Sequence, residues 1–431
     1  MEDIMPTVHE LIAKEAARQQ SGIELIASEN YVSANVLEAL GSVFTNKYSE
    51  GYPGRRYYGG QDFTDQVEQL AIDRAKALFG SDHANVQPLS GAAANVATYF
   101  AWLEPGDTVL GMDLSHGGHL THGSPTTYMA KLFKFVRYGM KDSTTGEIDY
   151  DALRDTAKKE RPKIILAGFS AYPRELDYAA IKSIADEVEA VAMADMAHIA
   201  GLIAAGELAN PFDAGFHVMT TTTHKTLRGP RGAMILSRGT AGNPLKAPDK
   251  TIENLPTLID RAVFPGLQGG PHMNAIAAIA VALGEAQTPA FKRYAKLVLT
   301  NAKRMAERLL ASGATLITGG TDNHMMVVDC VASWGLDGKM IEQLFDRVGI
   351  TASKSTIPDD PNPPFKPSGL RLGTPAMTTR GMKEAEIDRL VDFMLRAIKE
   401  REDESALDRL HREVQVFCEQ FPVPGIVQKG Q

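Results

Sequence analysis

The run Val218–Lys225 (VMTTTTHK) is rich in β-branched residues and ends in a lysine, and Arg228-Gly229-Pro230-Arg231-Gly232 follows with turn residues and guanidiniums. A lysine at a strand end inside a glycine-rich loop can form a Schiff base with an aldehyde cofactor. Taken alone it reads as a solvated surface cation, as most lysines do. Asp195 changes that balance. It closes the apolar run Val191–Asp195, about thirty residues before Lys225, and a carboxylate there is the partner a protonated pyridine nitrogen needs. An aspartate and a lysine at neighbouring strand ends bracket a pyridoxal ring. Ser90-Gly91, ahead of the helical run Ala92–Leu103, offers a hydroxyl and backbone N–H groups at a helix N-terminus, where a phosphate can be held.

Other chemistries find less support. The chain has no G-x-x-x-x-G-K-[ST], no H-E-x-x-H and no strand-linked G-x-G-x-x-G, so the commonest phosphoryl-transfer, zincin and dinucleotide readings fall away. His116-Gly-Gly-His119-Leu-Thr-His122 resembles a metal pattern, but its glycines break any helix that would align the imidazoles, and no metal site is expected.

The elements that must position these residues follow from periodicity. Asp65–Leu78 has the apolar spacing of an amphipathic helix, stopped by Gly80. Thr108–Asp113, Leu132–Tyr138, Lys163–Phe169, Val191–Asp195, Val218–Thr223 and Ala233–Ser237 read as strands, with helices at Tyr150–Lys159 and Tyr178–Val188 between them. That alternation predicts an α/β fold: a three-layer α/β/α large domain around a mostly parallel sheet, with ligands at the carboxyl ends of its strands. Beyond about Gln268 come the helices Ala275–Ala286 and Phe291–Ser312. Short strands near Thr315–Ile317, Met325–Cys330 and Leu370–Leu372 follow, then a helical tail, Lys383–Phe417. The expected division is an N-terminal helical arm (1–28), a large cofactor-binding domain (29–274) and a smaller C-terminal α/β domain (275–431).

Composition narrows the partners. The 431 residues are 44% hydrophobic and 23% charged, ordinary for a globular protein, and the net charge of −8 argues against nucleic acid or anionic membranes as partners. Two cysteines, Cys330 and Cys418, lie in no metal-spaced pattern and suit a reducing compartment. With no basic-then-apolar leader and no uninterrupted apolar run of ~18 residues, a cytoplasmic protein is expected.

Seven segments, in order along nearly the whole chain, carry a resemblance: LIASENY (25–31), TNKYSEGYPGRRYYGG (45–60), HGGHLTHGS (116–124), DMAHIAGL (195–202), TTTTHKTLRGPRG (220–232), FPGLQGGP (264–271) and SGLRLGTPAMTTRG (368–381). The sequence resembles the serine hydroxymethyltransferases, pyridoxal-phosphate enzymes of the aspartate-aminotransferase-like fold type I. The resemblance implies reversible conversion of L-serine and tetrahydrofolate to glycine and 5,10-methylenetetrahydrofolate.

Carried over residue by residue, it makes Lys225 the Schiff-base lysine and Asp195 the partner of the ring nitrogen. His119 stacks on the ring, His198 and Ser170 bond its phenolic edge, and Ser90, Gly91, Ala92 and Thr222 complete the cofactor site. His224 takes part in substrate selection, and Arg371, with Ser28 and Arg231, binds the substrate carboxylate. Tyr48, Glu50, Tyr58 and the turn Gly269-Gly270 act on the adjacent subunit's site, which implies a homodimer or tetramer with shared sites. Folate lies against Glu50, Tyr57, Leu114, Gly118, His119, Leu120, Ser355, Pro363, Pro364 and Phe365, and Glu50 is the candidate proton shuttle.

Two segments that would face ligands depart from the family pattern. Leu89-Ser90-Gly91-Ala92-Ala93 stands where His-Ser-Gly-Ser-Gln is usual, which removes a hydroxyl and an amide from the phosphate and predicts weaker cofactor retention. Ser355 stands where an asparagine usually faces the pterin; a hydroxyl is shorter and lacks the fixed donor–acceptor pair of an amide. A folate-independent aldolase of β-hydroxy amino acids, or a transferase acting on α-methylserine, would share Lys225, Asp195 and Arg371, whereas Glu50 and Leu114–Leu120 favour folate. A silent binding protein on the same scaffold is disfavoured by the intact lysine and aspartate and by the acidic charge.

Overall fold

Short aliphatic and β-branched runs, apolar along their whole length, pair into a seven-stranded sheet. In chain order its strands are β1 (His83–Asn85), β2 (Thr108–Met112), β3 (Lys134–Tyr138), β4 (Ile164–Gly168), β5 (Val191–Asp195), β6 (Val218–Thr222) and β7 (Ala233–Ser237). Their spatial order is β1-β7-β6-β5-β4-β2-β3. Strands β2 to β6 run parallel, while β7 is antiparallel to both β6 and β1. The computed structural model describes residues 4–239, 252 and 254–426.

Every residue of β2, β4, β5, β6 and β7 is buried, so alternate side chains enter two covered faces. On one face Ile164, Leu166, Val191, Met193, Ala233 and Ile235 share a core with Ala94, Ala97 and Trp102. Those three belong to the helix Gly91–Trp102, which follows the helix α2 (Asp62–Phe79) and is α3 here, the N-terminal helix Ile4–Ser21 being α1. Helices α4 (Tyr150–Glu160) and α5 (Tyr178–Glu187) cross between parallel strands, and each begins at an aspartate cap, Asp149 or Asp177, that accepts a backbone N–H.

The chain divides into two compact units: Asn35–Lys296, and a second made of Met1–Ala34 with Leu297–Gln431. These bounds differ from the expected spans for two reasons. The helix α6 (Met273–Ala286) packs on α2 and so belongs to the unit of the large sheet. The N-terminal residues are joined to the second unit, because the strand Ile23–Glu24 pairs in parallel with Ile350–Thr351.

The division falls inside α7 (Pro289–Ala311). The second unit holds a four-stranded antiparallel sheet, in the order β8-β9-β11-β10, of β8 (Thr315–Leu316), β9 (Met325–Asp329), β10 (Ser353–Ser355) and β11 (Gly369–Gly373). Helix α8 (Gly338–Arg347) precedes β10 in the chain. The expected single helical tail is two helices, α9 (Glu384–Lys399) and α10 (Glu404–Glu419), the second restarted by Asp403 accepting the Ala406 N–H at 3.0 Å. Buried Arg380 draws both ends of this unit together by donating to the carbonyls of Gln20, Gly22, Cys418 and Phe421 at 2.7–2.8 Å. Among the described residues no helix is long and apolar enough to cross a membrane.

Glu24 sits in the short parallel pair, and its Oε1 accepts the Ile26 N–H at 2.8 Å. Burial, and then the neighbouring Glu29 charge, push its carboxyl from 4.5 up to about 8. A carboxyl raised on folding binds its proton more tightly in the native state, so stability is greatest below the unfolded value and falls as pH rises through the native one. Glu24→Gln keeps the acceptor oxygen and removes the titration. Its melting temperature is expected to exceed that of the parent above pH about 8 and to converge with it towards 4.5. A gap that does not change with pH would refute this.

Candidate active site

The parallel register sets Gly168 and Asp195, the last residues of β4 and β5, beside Thr220 in the middle of β6. Gly168 is required there: its φ is +151°, and a Cβ would lie 2.5 Å from the Asp195 carbonyl oxygen. The Asp195 side chain is buried, and three donors converge on it. Asn95 Nδ2 and His122 Nε2 reach Oδ2 at 2.8 and 3.0 Å, and the Ala197 N–H reaches Oδ1 at 3.1 Å. Burial by itself would raise this carboxyl, but the hydrogen bond from His122, then the two nearby imidazoles and the Asn95 amide, hold it well below the usual carboxylate range. Asp195 is therefore a carboxylate anion at neutral pH.

The surrounding groups fix the direction of each bond. The Thr220 hydroxyl donates to Asn95 Oδ1 at 2.6 Å, which orients the amide so that its Nδ2 donates to Asp195 and, at 2.8 Å, to Thr121 Oγ1. His122 Nδ1 accepts the His119 N–H at 3.1 Å, so the ring proton lies on Nε2, facing Asp195. His119 Nδ1 accepts the Thr121 N–H at 3.2 Å and lies 2.8 Å from the Thr121 hydroxyl. Asn95, Thr121 and Thr220 were not singled out from the sequence, and His122 was named there only as part of a metal-like pattern. His122 sits in a quoted motif, but nothing in the sequence says that Asn95, a hundred positions from Asp195, would meet it.

Glycines were expected to keep the three histidines apart. Instead the tight turn Leu120–His122 brings two of them to Asp195, with one donor atom from each of the three residues within 4.8 Å of the others. Those atoms are engaged with one another and with Thr121, while His116 turns away to accept the Met140 N–H at 3.0 Å.

On β6 and the loop after it, Thr222 is buried and donates to the Ala197 carbonyl at 3.3 Å. Its methyl lies 2.7 Å from where a Cβ on Gly91 would be, so only glycine fits at the first position of α3. Lys225 and His224 are half-buried and Arg231 is exposed. The His224 Nδ1 is buried with no hydrogen-bond partner among the described residues. Burial, then the Arg231 and Lys225 charges, lower the imidazole to about 3, so it is neutral in working conditions.

At the start of α3, Ser90 Oγ caps the helix by accepting the Ala93 N–H at 3.3 Å. That engages the Ala93 amide, and leaves those of Gly91 and Ala92 without intrahelical acceptors. Ser170 is half-buried, its N–H bonded to the Gly117 carbonyl at 2.7 Å, and His198 is buried. Gly118 is packed so tightly that a Cβ would meet the Met112 carbonyl oxygen at 2.3 Å. Its neighbours Leu114 and Leu120 are 41% and 48% exposed.

A second cluster sits on the hairpin of Gly51–Tyr52 with Arg55–Arg56. Glu50 accepts from the hydroxyls of Tyr58 at 3.0 Å and Tyr48 at 3.4 Å. Cβ atoms on Gly269 and Gly270 would touch Glu50 and Tyr48 at 3.4 and 3.2 Å. Tyr48, Tyr57 and Tyr58 are 58%, 70% and 49% exposed. Beneath them Arg56 binds Asp65 and Glu68 at 2.8 and 2.5 Å and the carbonyls of Ser49 and Gly51, and Gln87 holds the other Glu68 oxygen at 2.7 Å. This buried pair, also missed from the sequence, fixes the hairpin.

In the second unit Arg371 occupies the middle of β11, and its Nη2 donates to Ser28 Oγ at 3.4 Å. Ser28 is held there because a Cβ on Gly373 would overlap Ala27 at 2.5 Å, and the Gly373 N–H bonds the Leu25 carbonyl at 2.8 Å. Burial lowers the guanidinium to about 10, and it remains a cation at neutral pH. Ser355, on β10, donates to its neighbour Thr356's carbonyl at 3.1 Å. Pro363, Pro364 and Phe365 are exposed.

A family model described as serine hydroxymethyltransferase matches residues 1–394 of the chain. The chain belongs to the serine hydroxymethyltransferase family. It is therefore a member of a family of pyridoxal-phosphate-dependent transferases, and its seven-stranded sheet flanked by helices is the fold type I architecture. The residues fit the family's cofactor: an anionic, buried carboxylate at a strand end, a lysine after the next strand and a capped helix start.

Asn95→Leu keeps the volume and removes a hydrogen bond to a charged acceptor, an interaction of about 1.5–3 kcal/mol. Pyridoxal phosphate is expected to bind this variant with a Kd about tenfold higher or more, read by equilibrium dialysis. Unchanged retention would show that the Asn95 amide does not support the cofactor site.

Proposed function

We propose that this protein transfers the hydroxymethyl carbon of L-serine to tetrahydrofolate, reversibly, giving glycine and 5,10-methylenetetrahydrofolate. The observation that carries the reading is Asp195: a buried carboxylate kept ionised by three donors at the end of the strand beside that of Lys225. An anion so placed suits a pyridine nitrogen that must stay protonated. Bound pyridoxal phosphate supplies an electron sink for the bond broken at the serine α-carbon.

The chain's own residues do the rest. Asp195 holds the proton on the ring nitrogen, and Lys225 carries the amine that retains the cofactor's aldehyde carbon. Ser90 and the open amides of Gly91 and Ala92 hold the phosphate, and the missing hydroxyl at position 92 makes that hold weaker than usual for the family. His119 covers the ring face, and Ser170 and His198 bond its phenolic edge. Thr222, whose hydroxyl is engaged with the Ala197 carbonyl, shapes the floor of the site through its methyl group.

Arg371, assisted by Ser28, clamps the substrate carboxylate through paired N–H bonds, a task a planar guanidinium performs better than an ammonium. Neutral His224 accepts or donates a hydrogen bond without adding charge beside Lys225 and Arg231. Glu50, steadied by the Tyr58 hydroxyl, moves the proton of the serine hydroxyl. Tyr57, Leu114, Gly118, Leu120, Ser355 and Pro363-Pro364-Phe365 receive the folate. The exposure of Tyr48, Tyr57 and Tyr58 supports a homodimer in which this hairpin and Gly269-Gly270 serve the partner's site. Both cysteines are buried thiols, in keeping with a cytoplasmic setting.

The purified protein, given L-serine with and without tetrahydrofolate, is expected to form glycine at a rate that depends on folate, and Lys225→Ala is expected to lose at least about a thousandfold. Glycine formed equally fast without folate would replace this reading by an aldolase. No glycine in either case would leave only a scaffold.

A further inference from the structure

The connection from β10 to β11, residues 356–368, is long, proline-rich and exposed at its tip. Loops of this kind are usually mobile unless something holds them. Here one carboxylate does. Asp360 Oδ2 accepts the N–H of Ile357 at 3.3 Å and of Ser368 at 2.9 Å, the two ends of the loop. Its Oδ1 accepts the N–H of Asn362 at 2.9 Å and the Ser368 hydroxyl at 2.6 Å. Asn362 Nδ2 closes the ring by donating to Ser368 Oγ at 2.9 Å. Four donors occupy the acceptor sites of an ionised carboxylate, the only common side chain that accepts on both atoms and donates on neither. Burial opposes the charge, but the Ser368 hydroxyl and the amides hold the carboxyl below its usual range.

The base of the loop is anchored as well. The Ser368 carbonyl accepts the Cys330 N–H at 2.9 Å, and the Pro367 carbonyl accepts the Gly338 N–H, at the start of α8, at 2.7 Å. A Cβ on Gly338 would collide with the Gly369 carbonyl oxygen at 2.0 Å, so this junction tolerates little displacement. Three residues beyond Ser368, on β11, is Arg371. The brace therefore joins the loop tip rigidly to the strand that bears this arginine.

We propose that Asp360, acting with Ser368 and Asn362, is a positioning residue for the pterin co-substrate: it closes the neck of the loop and holds Pro363-Pro364-Phe365 in one arrangement. This rests on the reading that those three residues receive folate. Asp360 touches neither substrate nor cofactor in this account, so its effect should appear in folate affinity and not in amino-acid affinity. Asp360→Asn supplies one acceptor oxygen and an NH₂ that faces existing donors, so at least two of the four bonds are lost.

The test uses the cofactor-loaded full chain. In D360N the KM for tetrahydrofolate is expected to rise about tenfold, as it would if only about a tenth of the molecules kept the competent loop. The Kd for L-serine without folate, measured by calorimetry, is expected to stay within about twofold, and the amides of Asn362, Phe365 and Lys366 are expected to exchange hydrogen faster than in the parent. Ser368→Ala, which removes the hydroxyl's bonds to Asp360 and from Asn362 but leaves the three backbone N–H donors on the carboxylate, is expected to fall between the two. An unchanged folate KM overturns the proposal, and so does a parallel loss of serine affinity and folate affinity, which would mark a general structural role. If the parent turns over serine without regard to folate, the underlying reading fails and the proposal with it, whereas a folate-dependent parent with an unaffected D360N defeats the proposal alone.

Discussion

The negative charge on Asp195 is the constraint on which the site depends. A carboxylate enclosed in a protein interior would take up a proton unless donors met it on several sides. The fold meets that requirement with an asparagine from α3, a histidine from the turn after β2 and a backbone amide just past β5. Each donor is then fixed by a further group: Thr220 orients Asn95, and the His119 amide decides which His122 nitrogen carries the proton. The parallel sheet is what makes this affordable in chain terms, because residues far apart in sequence emerge at one edge in register.

The same logic of polar anchors beneath exposed segments recurs twice. Arg56, with Glu68, Asp65 and Gln87, ties down a hairpin whose outer face presents Tyr48, Glu50, Tyr57 and Tyr58. Asp360 does so for the loop that carries Phe365, which is 67% exposed. In both cases a charged side chain that accepts or donates several bonds at once gives a surface segment one conformation, and chemistry that needs aligned groups can then be placed on it.

How much of this could be read in the sequence follows from the range of each interaction. Aliphatic runs and helix caps are local, and they placed the five parallel strands, the helices around them and the residues at the strand ends to within a residue or two. Lys225 and Asp195 were legible because lysine or aspartate at the end of an apolar run is chemically conspicuous. What escaped was long-range: the pairing of His83–Asn85 with β7, the parallel pairing of Ile23–Glu24 with Ile350–Thr351, and the polar partners Asn95, Glu68 and Asp360. Polar residues inside helices and loops carry no periodic signature, so only the folded chain shows whom they meet. The glycines in His116–His122 misled for a related reason, since they rule out a helix but permit the tight turn that brings His119 and His122 to Asp195.

The ionised state of Asp195 would keep a proton on the nitrogen of a bound pyridine ring. It is tested most directly by nitrogen NMR of the protein loaded with pyridoxal phosphate labelled at that nitrogen, recorded over about pH 5 to 8. The nitrogen is expected to remain protonated throughout. A nitrogen that loses its proton within that range, with the midpoint of the free cofactor, would contradict it.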